Sequence, residues 1–264
     1  MCYNAIRGDN MARQARILSS TGMYHIMVRG INKQEIFSSE YDYEKFKEII
    51  FSIKERYGIE LYAYCLMTNH IHLFLHEAEQ GGISDFMKTV LSHYAGWYNF
   101  KYERTGHLFA NRYKSLPVED DGYFLMLAKY IHRNPVKAGV VGNMQDFRHS
   151  SYSDYINNNS ENINIEFLLN ILDEDREIAI KQFVLFSNAK EDDDYDFENS
   201  LQNRDLMAKI KIIKATGGLK PLEISRLPKT ERNKILKSLM EEHKIQKLTL
   251  ARLTGISRST LQSL

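Results

Sequence analysis

Two apolar runs, Glu60 to Met67 and His70 to His76, are separated only by Thr68-Asn69. Two strand-length segments so close together must form a tight antiparallel hairpin, because a parallel crossover needs about a dozen residues or more. The second run alternates: Ile71, Leu73 and Leu75 are interleaved with His70 and His72. Residues i and i+2 of a strand share a face, so the aliphatic side chains are expected to enter the core and the two imidazoles to stand together on the opposite face.

The neighbouring segments fit around this hairpin. Met23 to Arg29 is an apolar run bounded by Gly22 and Gly30 and predicts a first strand. Residues 42 to 57 place Phe46, Ile49, Ile50 and Ile53 at helical spacing and stop at Gly58. A second helix is expected from Ser84 to about Lys101, with Phe86, Val90, Tyr94 and Trp97 on one side. A short strand follows from Arg112 to Val118, then a helix from about Gly122 to Arg133, capped by Asp120-Asp121 and ended by Pro135. Strand, helix, two strands, helix, strand, helix is an α+β order suited to a ferredoxin-like antiparallel sheet.

Composition sets the remaining boundaries. Cys2 and Cys65 are the only cysteines among 264 residues, no apolar run approaches the ~20 residues of a membrane span, and no secretory leader is evident. A cytoplasmic protein without disulfides and without membrane association is expected. The net charge of +1 conceals segregation. Residues 161–200 carry 12 acidic against 3 basic side chains, a net of −9, whereas residues 201–264 carry 14 basic against 5 acidic, a net of +9. A basic end of this kind suits a polyanion such as a nucleic acid, although solvated lysine-rich helices look the same. The expected organisation is a leader at 1–10 preceding the natural-looking start at Met11, an α+β domain at 11–155, an acidic linker with one helical run at 156–205, and a small all-α domain at 206–264.

Two segments carry chemistry. His70 and His72 can converge on one ion, although a His-x-His pair alone is equally at home on a solvated strand. In the helix near residue 130, Tyr130 and Asn134 lie four apart on one face with Arg133 beside them. A phenol has a normal pKa of ~10, so a nucleophilic tyrosine needs a cation near the bond it attacks. The histidine pair with the Asn134 carboxamide oxygen can hold such an ion. The competing reading of Tyr130 is a packed core aromatic. His25, His107 and His132 are lone histidines, more often structural than functional, and Cys65 reads as buried packing. Arg29, Lys33, Arg112 and Lys114 are candidate phosphate contacts.

Four ordered motifs carry a resemblance: Val28 to Lys33 (VRGINK), Leu61 to Leu73 (LYAYCLMTNHIHL), Asn111 to Ser115 (NRYKS) and Tyr130 to Gly139 (YIHRNPVKAG). Residues 11 to about 155 resemble the single-tyrosine HUH transposases, in particular the REP-associated tyrosine transposase branch. The resemblance implies that His70, His72 and Asn134 are metal ligands, that the ion is Mg²⁺ or Mn²⁺, and that Tyr130 is the nucleophile. It also implies single-stranded or hairpin DNA, as in repeat elements, as the partner, a 5′-phosphotyrosine intermediate in cleavage and rejoining, and a homodimer. Imidazole donors favour Mn²⁺ over the oxygen-seeking Mg²⁺. Two alternatives stay open: a domesticated regulator that binds repeats without cutting, and an initiator- or relaxase-like nickase, for which Tyr123 would be the second tyrosine.

The C-terminus has a separate pattern. Ala251, Gly255 and Leu261 occupy the small, turn and apolar positions of a helix-turn-helix, with Ser257 placed to cap the second helix. Arg133 on the tyrosine helix and Arg258, Ser259, Thr260 and Gln262 on the last one are the further candidate DNA contacts. An ordinary helical hairpin would show the same small-residue pattern.

Overall fold

The computed structural model describes residues 16, 18–119, 121–189, 208, 212–213, 215–243, 245 and 247–262. The hairpin forms as its spacing requires: β2 (Ile59–Met67) and β3 (His70–Glu77) pair antiparallel and turn at Thr68-Asn69. β3 pairs on its other side with β1 (Met23–Arg29), which in turn pairs with β4 (Lys114–Val118), so the sheet order is β2-β3-β1-β4. Helix α1 (Glu40–Ile53) follows β1 and α2 (Gly82–Lys101) follows β3. This is the expected ferredoxin-like antiparallel arrangement.

Local chemistry fixes the helix ends. α1 begins two residues before Asp42 because that buried carboxylate accepts from the Ser38 and Ser39 amides at 2.7 and 3.0 Å. Lys101 of α2 and the Tyr102 hydroxyl also donate to Asp42, tying the start of α1 to the end of α2. The turn after α1 closes at Gly58, in the left-handed region at φ 59°.

Helices cover both faces of the sheet. Phe51 of α1 meets Tyr64, which stands opposite Leu73 in the strand register, and α2 packs on α1 through the perpendicular rings of Phe46 and Tyr94. The opposite face, bearing His72 and Phe74, is covered by α3 (Asp121–Lys137), where Phe124 lies 5.9 Å from Phe74. His72 is accordingly buried, 1% exposed.

Pro135 does not end α3 as expected; the helix runs through it to Lys137. The proline sits in the last turn, where only one amide donor is lost. The Asn134 side-chain amide donates to the Tyr130 carbonyl at 3.0 Å. The stop is Gly139, at φ 67°, where Gly139 N–H bonds to the Val136 carbonyl and Val140 N–H to the Pro135 carbonyl. Asp120, expected as part of the cap, lies outside the described residues.

The segment expected to be a linker with one helical run holds two helices, α5 (Glu166–Leu172) and α6 (Arg176–Asn188), after the short α4 (Tyr152–Ile156). Leu168, Leu169, Ala179 and Phe183 are fully buried in the same cluster as the sheet. Asp175 separates the two helices and caps the second, its carboxylate accepting from the Ile178 amide at 3.0 Å. His132 of α3 is enclosed between Tyr152, Tyr155 and Phe183, with Nε2 2.8 Å from Ser151 Oγ. The expected leader at 1–10 and the acidic run Glu191 to Asp194 lie outside the described residues.

A second buried cluster contains Ile212, Ile224, Leu236, Leu239, Leu250, Leu253, Ile256 and Leu261. Its helices are α7 (Pro221–Ile224), α8 (Lys229–Glu241), α9 (Lys247–Thr254) and α10 (Arg258–Gln262). α9 and α10 are joined at Gly255, φ 73°, and Ser257 Oγ accepts from the Thr260 amide at 3.2 Å, so the turn and cap take their expected places. No helix among the described residues is long and apolar enough to cross a membrane.

Burial lowers the pKa of both His25 and His132 to about 3. The unfolded chain therefore binds more protons than the folded one between about pH 6.5 and 3, and stability falls as pH drops through that window. Urea titrations should give a lower midpoint at pH 5 than at pH 7.5 with little change in slope. A midpoint independent of pH would contradict the burial of these rings.

Candidate functional site

His70 and His72 emerge from the same face of β3, with ring centroids 5.1 Å apart and planes nearly perpendicular. Each ring is oriented through Nδ1. His70 Nδ1 lies 2.7 Å from Asn69 Oδ1, and a carboxamide oxygen only accepts, so Nδ1 carries the proton and the lone pair of the neutral ring falls on Nε2. The Asn69 amide nitrogen in turn donates to the Lys33 carbonyl at 3.3 Å. His72 Nδ1 lies 3.0 Å from His25 Nε2, and His72 Nε2 is buried with no hydrogen-bond partner. An orphaned imidazole nitrogen beside a second histidine is a donor set that fits a divalent cation. Burial, reinforced by His25, His70 and Arg29 nearby, holds the His72 pKa well below its ordinary value, so the ring is neutral and able to ligate.

Tyr130 comes to this pair from α3. Its ring stands edge-on to His72 at 5.5 Å and to His25 at 5.8 Å between centroids. Lys137, two helical turns on, places its ammonium 5.6 Å from the Tyr130 ring centroid. Asn134 is half-buried one turn beyond Tyr130, and its amide nitrogen donates to the Tyr130 carbonyl at 3.0 Å.

A cavity of about 230 Å³ opens at the histidine pair, lined by Arg29, His70, His72, Asn111, Arg112 and Lys114 among others. Cross-strand register explains the grouping, since Arg29 pairs with His70, and Met27 pairs with both His72 and Lys114. The loop after Arg29 is held by Gly30, where a Cβ would meet the Gln34 carbonyl oxygen at 2.3 Å. A small cleft with three cations and two imidazoles is suited to a phosphodiester.

Other candidates lie elsewhere. Lys33 is exposed on the loop beyond Gly30 and does not line the cavity. Arg133 is half-buried and donates to the Ser187 carbonyl of α6 at 3.2 Å, which makes it a tie between helices. His107 is exposed, and His132 is the buried peg described above. Cys65 is fully buried opposite His72 in the register, with burial pushing its thiol pKa up. Arg258, Ser259 and Gln262 are exposed on α10 and Thr260 is half-buried. Glu40, Glu44 and His149 also cluster on the surface, but Glu44 pairs with Lys47 at 2.7 Å and His149 with Glu40 at 3.3 Å. Sequence reasoning passed over Asn69 and Lys137 and gave His25 a generic structural role.

The packing of Tyr130 makes its ring and its hydroxyl separable. Tyr130→Phe should change stability by no more than about 1 kcal/mol, whereas Tyr130→Ala, which empties the space beside the stacked His72 and His25 rings, should cost about 3–5 kcal/mol. Equal losses in denaturant unfolding would contradict the placement of the ring.

Residues 19–134 match the family of IS200-like transposases. No curated protein matches the chain. Among solved structures, a REP-associated tyrosine transposase bound to a REP hairpin aligns at 16% identity and a TM-score of 0.48, over 56% of this chain and 86% of that one. A candidate transposase from Deinococcus radiodurans R1 aligns at 22% identity and a TM-score of 0.33, over 46% of this chain and 97% of that one. The sheet of antiparallel strands, the paired histidines and the tyrosine helix all fall within the matched segment or end at its border, so the similarity to the IS200-like transposases rests on residues 19–134.

Proposed function

We propose that this protein is a transposase that cleaves and rejoins single-stranded DNA, presented alone or beside a hairpin, through a covalent link to Tyr130. The observation that carries the reading is the Tyr130 ring packed against His72, which itself lines a cleft with Arg29, Arg112 and Lys114. Arg29, Arg112 and Lys114 hold the backbone phosphates by charge. The Tyr130 oxygen attacks phosphorus, the bond from phosphorus to the 3′ oxygen breaks, and that oxygen leaves with a proton as a 3′-OH. The phenol proton passes to solvent, and the product is a 5′-phosphotyrosine ester. Attack by another 3′-OH reverses the step and completes strand transfer, with no external energy source.

His70, His72 and the Asn134 carboxamide oxygen would hold a divalent cation, Mg²⁺ or Mn²⁺, which when bound supplies positive charge to the scissile phosphate. Two neutral imidazoles suit Mn²⁺ better than Mg²⁺. The tight turn at Gly255, the Ser257 cap and the exposed Arg258, Ser259 and Gln262 support a helix-turn-helix reading of α9 and α10, with duplex contacts beyond the cleavage site. Tyr123 and Tyr130 are both buried on α3, and it is Tyr130 that makes the ring contact to His72, which favours a single-tyrosine scheme over a nickase with two.

Incubation with end-labelled single-stranded oligonucleotides and Mn²⁺ should yield a covalent adduct that survives denaturing electrophoresis and disappears in Tyr130→Phe. Retarded oligonucleotide with no adduct under any divalent ion would instead indicate a binding regulator. Single-strand binding should also weaken steeply with salt. Neutralising Arg29, Arg112 or Lys114 should each lower the slope of log K against log salt by about 0.7. Unchanged slopes in all three variants would place the strand elsewhere.

A further inference from the structure

We infer that His25 is a positioning residue, which fixes the tautomer and ring orientation of His72 and braces the Tyr130 ring. The inference rests on the proposed metal-dependent reading of the histidine pair. His25 lies on β1, whose register puts it opposite Phe74, diagonal to His72 on the same face. It is fully buried, its Nε2 is 3.0 Å from His72 Nδ1, and the two rings are stacked with centroids 5.2 Å apart.

Two neutral imidazoles sharing one hydrogen bond have one proton between the facing nitrogens. A His72 that presents a lone pair at Nε2 must carry its proton on Nδ1 and donate it, so His25 accepts through Nε2 and bears its own proton on Nδ1. In metal sites the partner of the second ring nitrogen is usually a carboxylate or a carbonyl, and its loss typically costs 10–100-fold in metal affinity. His70 has such a partner in the Asn69 carboxamide; His72 has an imidazole. The uncharged acceptor suits this position, since His25 is fully buried and also touches Tyr130 edge-on. One buried ring thus sets both the ligand and the nucleophile.

Nitrogen-15 NMR of the metal-free full-length chain should show His72 protonated at Nδ1 and His25 at Nδ1. Protonation of His72 at Nε2 would overturn the inference without any variant being made. Mn²⁺ titration followed by electron paramagnetic resonance should then show His25→Phe, which fills the space without an acceptor, binding about 10–100-fold more weakly than wild type. His25→Gln, which retains an acceptor, should recover most of that loss. Wild-type affinity in His25→Phe would overturn the role of His25 while leaving the histidine pair as a metal site. A wild-type chain that binds no Mn²⁺ would overturn both readings together.

Discussion

The site depends on the pairing of β1 with β3. That register sets Arg29 opposite His70 and Met27 opposite His72, and brings His25 within hydrogen-bonding distance of His72. A one-residue slip would turn every one of these side chains to the other face of the sheet. The register is protected because the two faces bury different sets: Ile71, Leu73 and Leu75 on one side, His72 and Phe74 on the other, all nearly inaccessible. The same alternation that builds the core therefore aims the imidazoles.

Burial of the histidine face has an electrostatic consequence. An imidazole among apolar groups loses the hydration that its charged form needs, and His72 and His25 are both held neutral. A neutral ring retains the lone pair that ligation requires. The compensating charges sit at the rim, on Arg29, Arg112 and Lys114, where they remain exposed and available to a polyanion. The cleft thus sets a dry, uncharged His72 beside a wet, cationic border.

Much of this was legible in the residues. The limits of β1, the hairpin at Thr68-Asn69 and the shared face of His70 and His72 follow from alternation and a two-residue gap, both local signals. The end of α3 was misread because Pro135 is a strong local signal that is overridden in the last turn, where Gly139 supplies the stop. The acidic stretch was expected to be a linker with one helical run, and its two packed helices were missed for a similar reason: the few buried positions, Leu168, Leu169, Ala179 and Phe183, matter only once the sheet is present to receive them. His25 was beyond reach for a topological reason. Its place beside His72 depends on β1 lying next to β3, and one sequence fixes strand spacing far better than strand order. The bond from Arg133 to the Ser187 carbonyl of α6 was out of reach because that partner is 54 residues away.

The central claim is that two imidazoles and a phenol meet around one cation-assisted phosphate site. Anomalous diffraction from Mn²⁺-soaked crystals tests it most directly. The account predicts a single strong peak about 2 Å from Nε2 of both His70 and His72, on the side facing Tyr130. A peak only at the Glu40, Glu44 and His149 cluster, with none at the histidine pair, would contradict it.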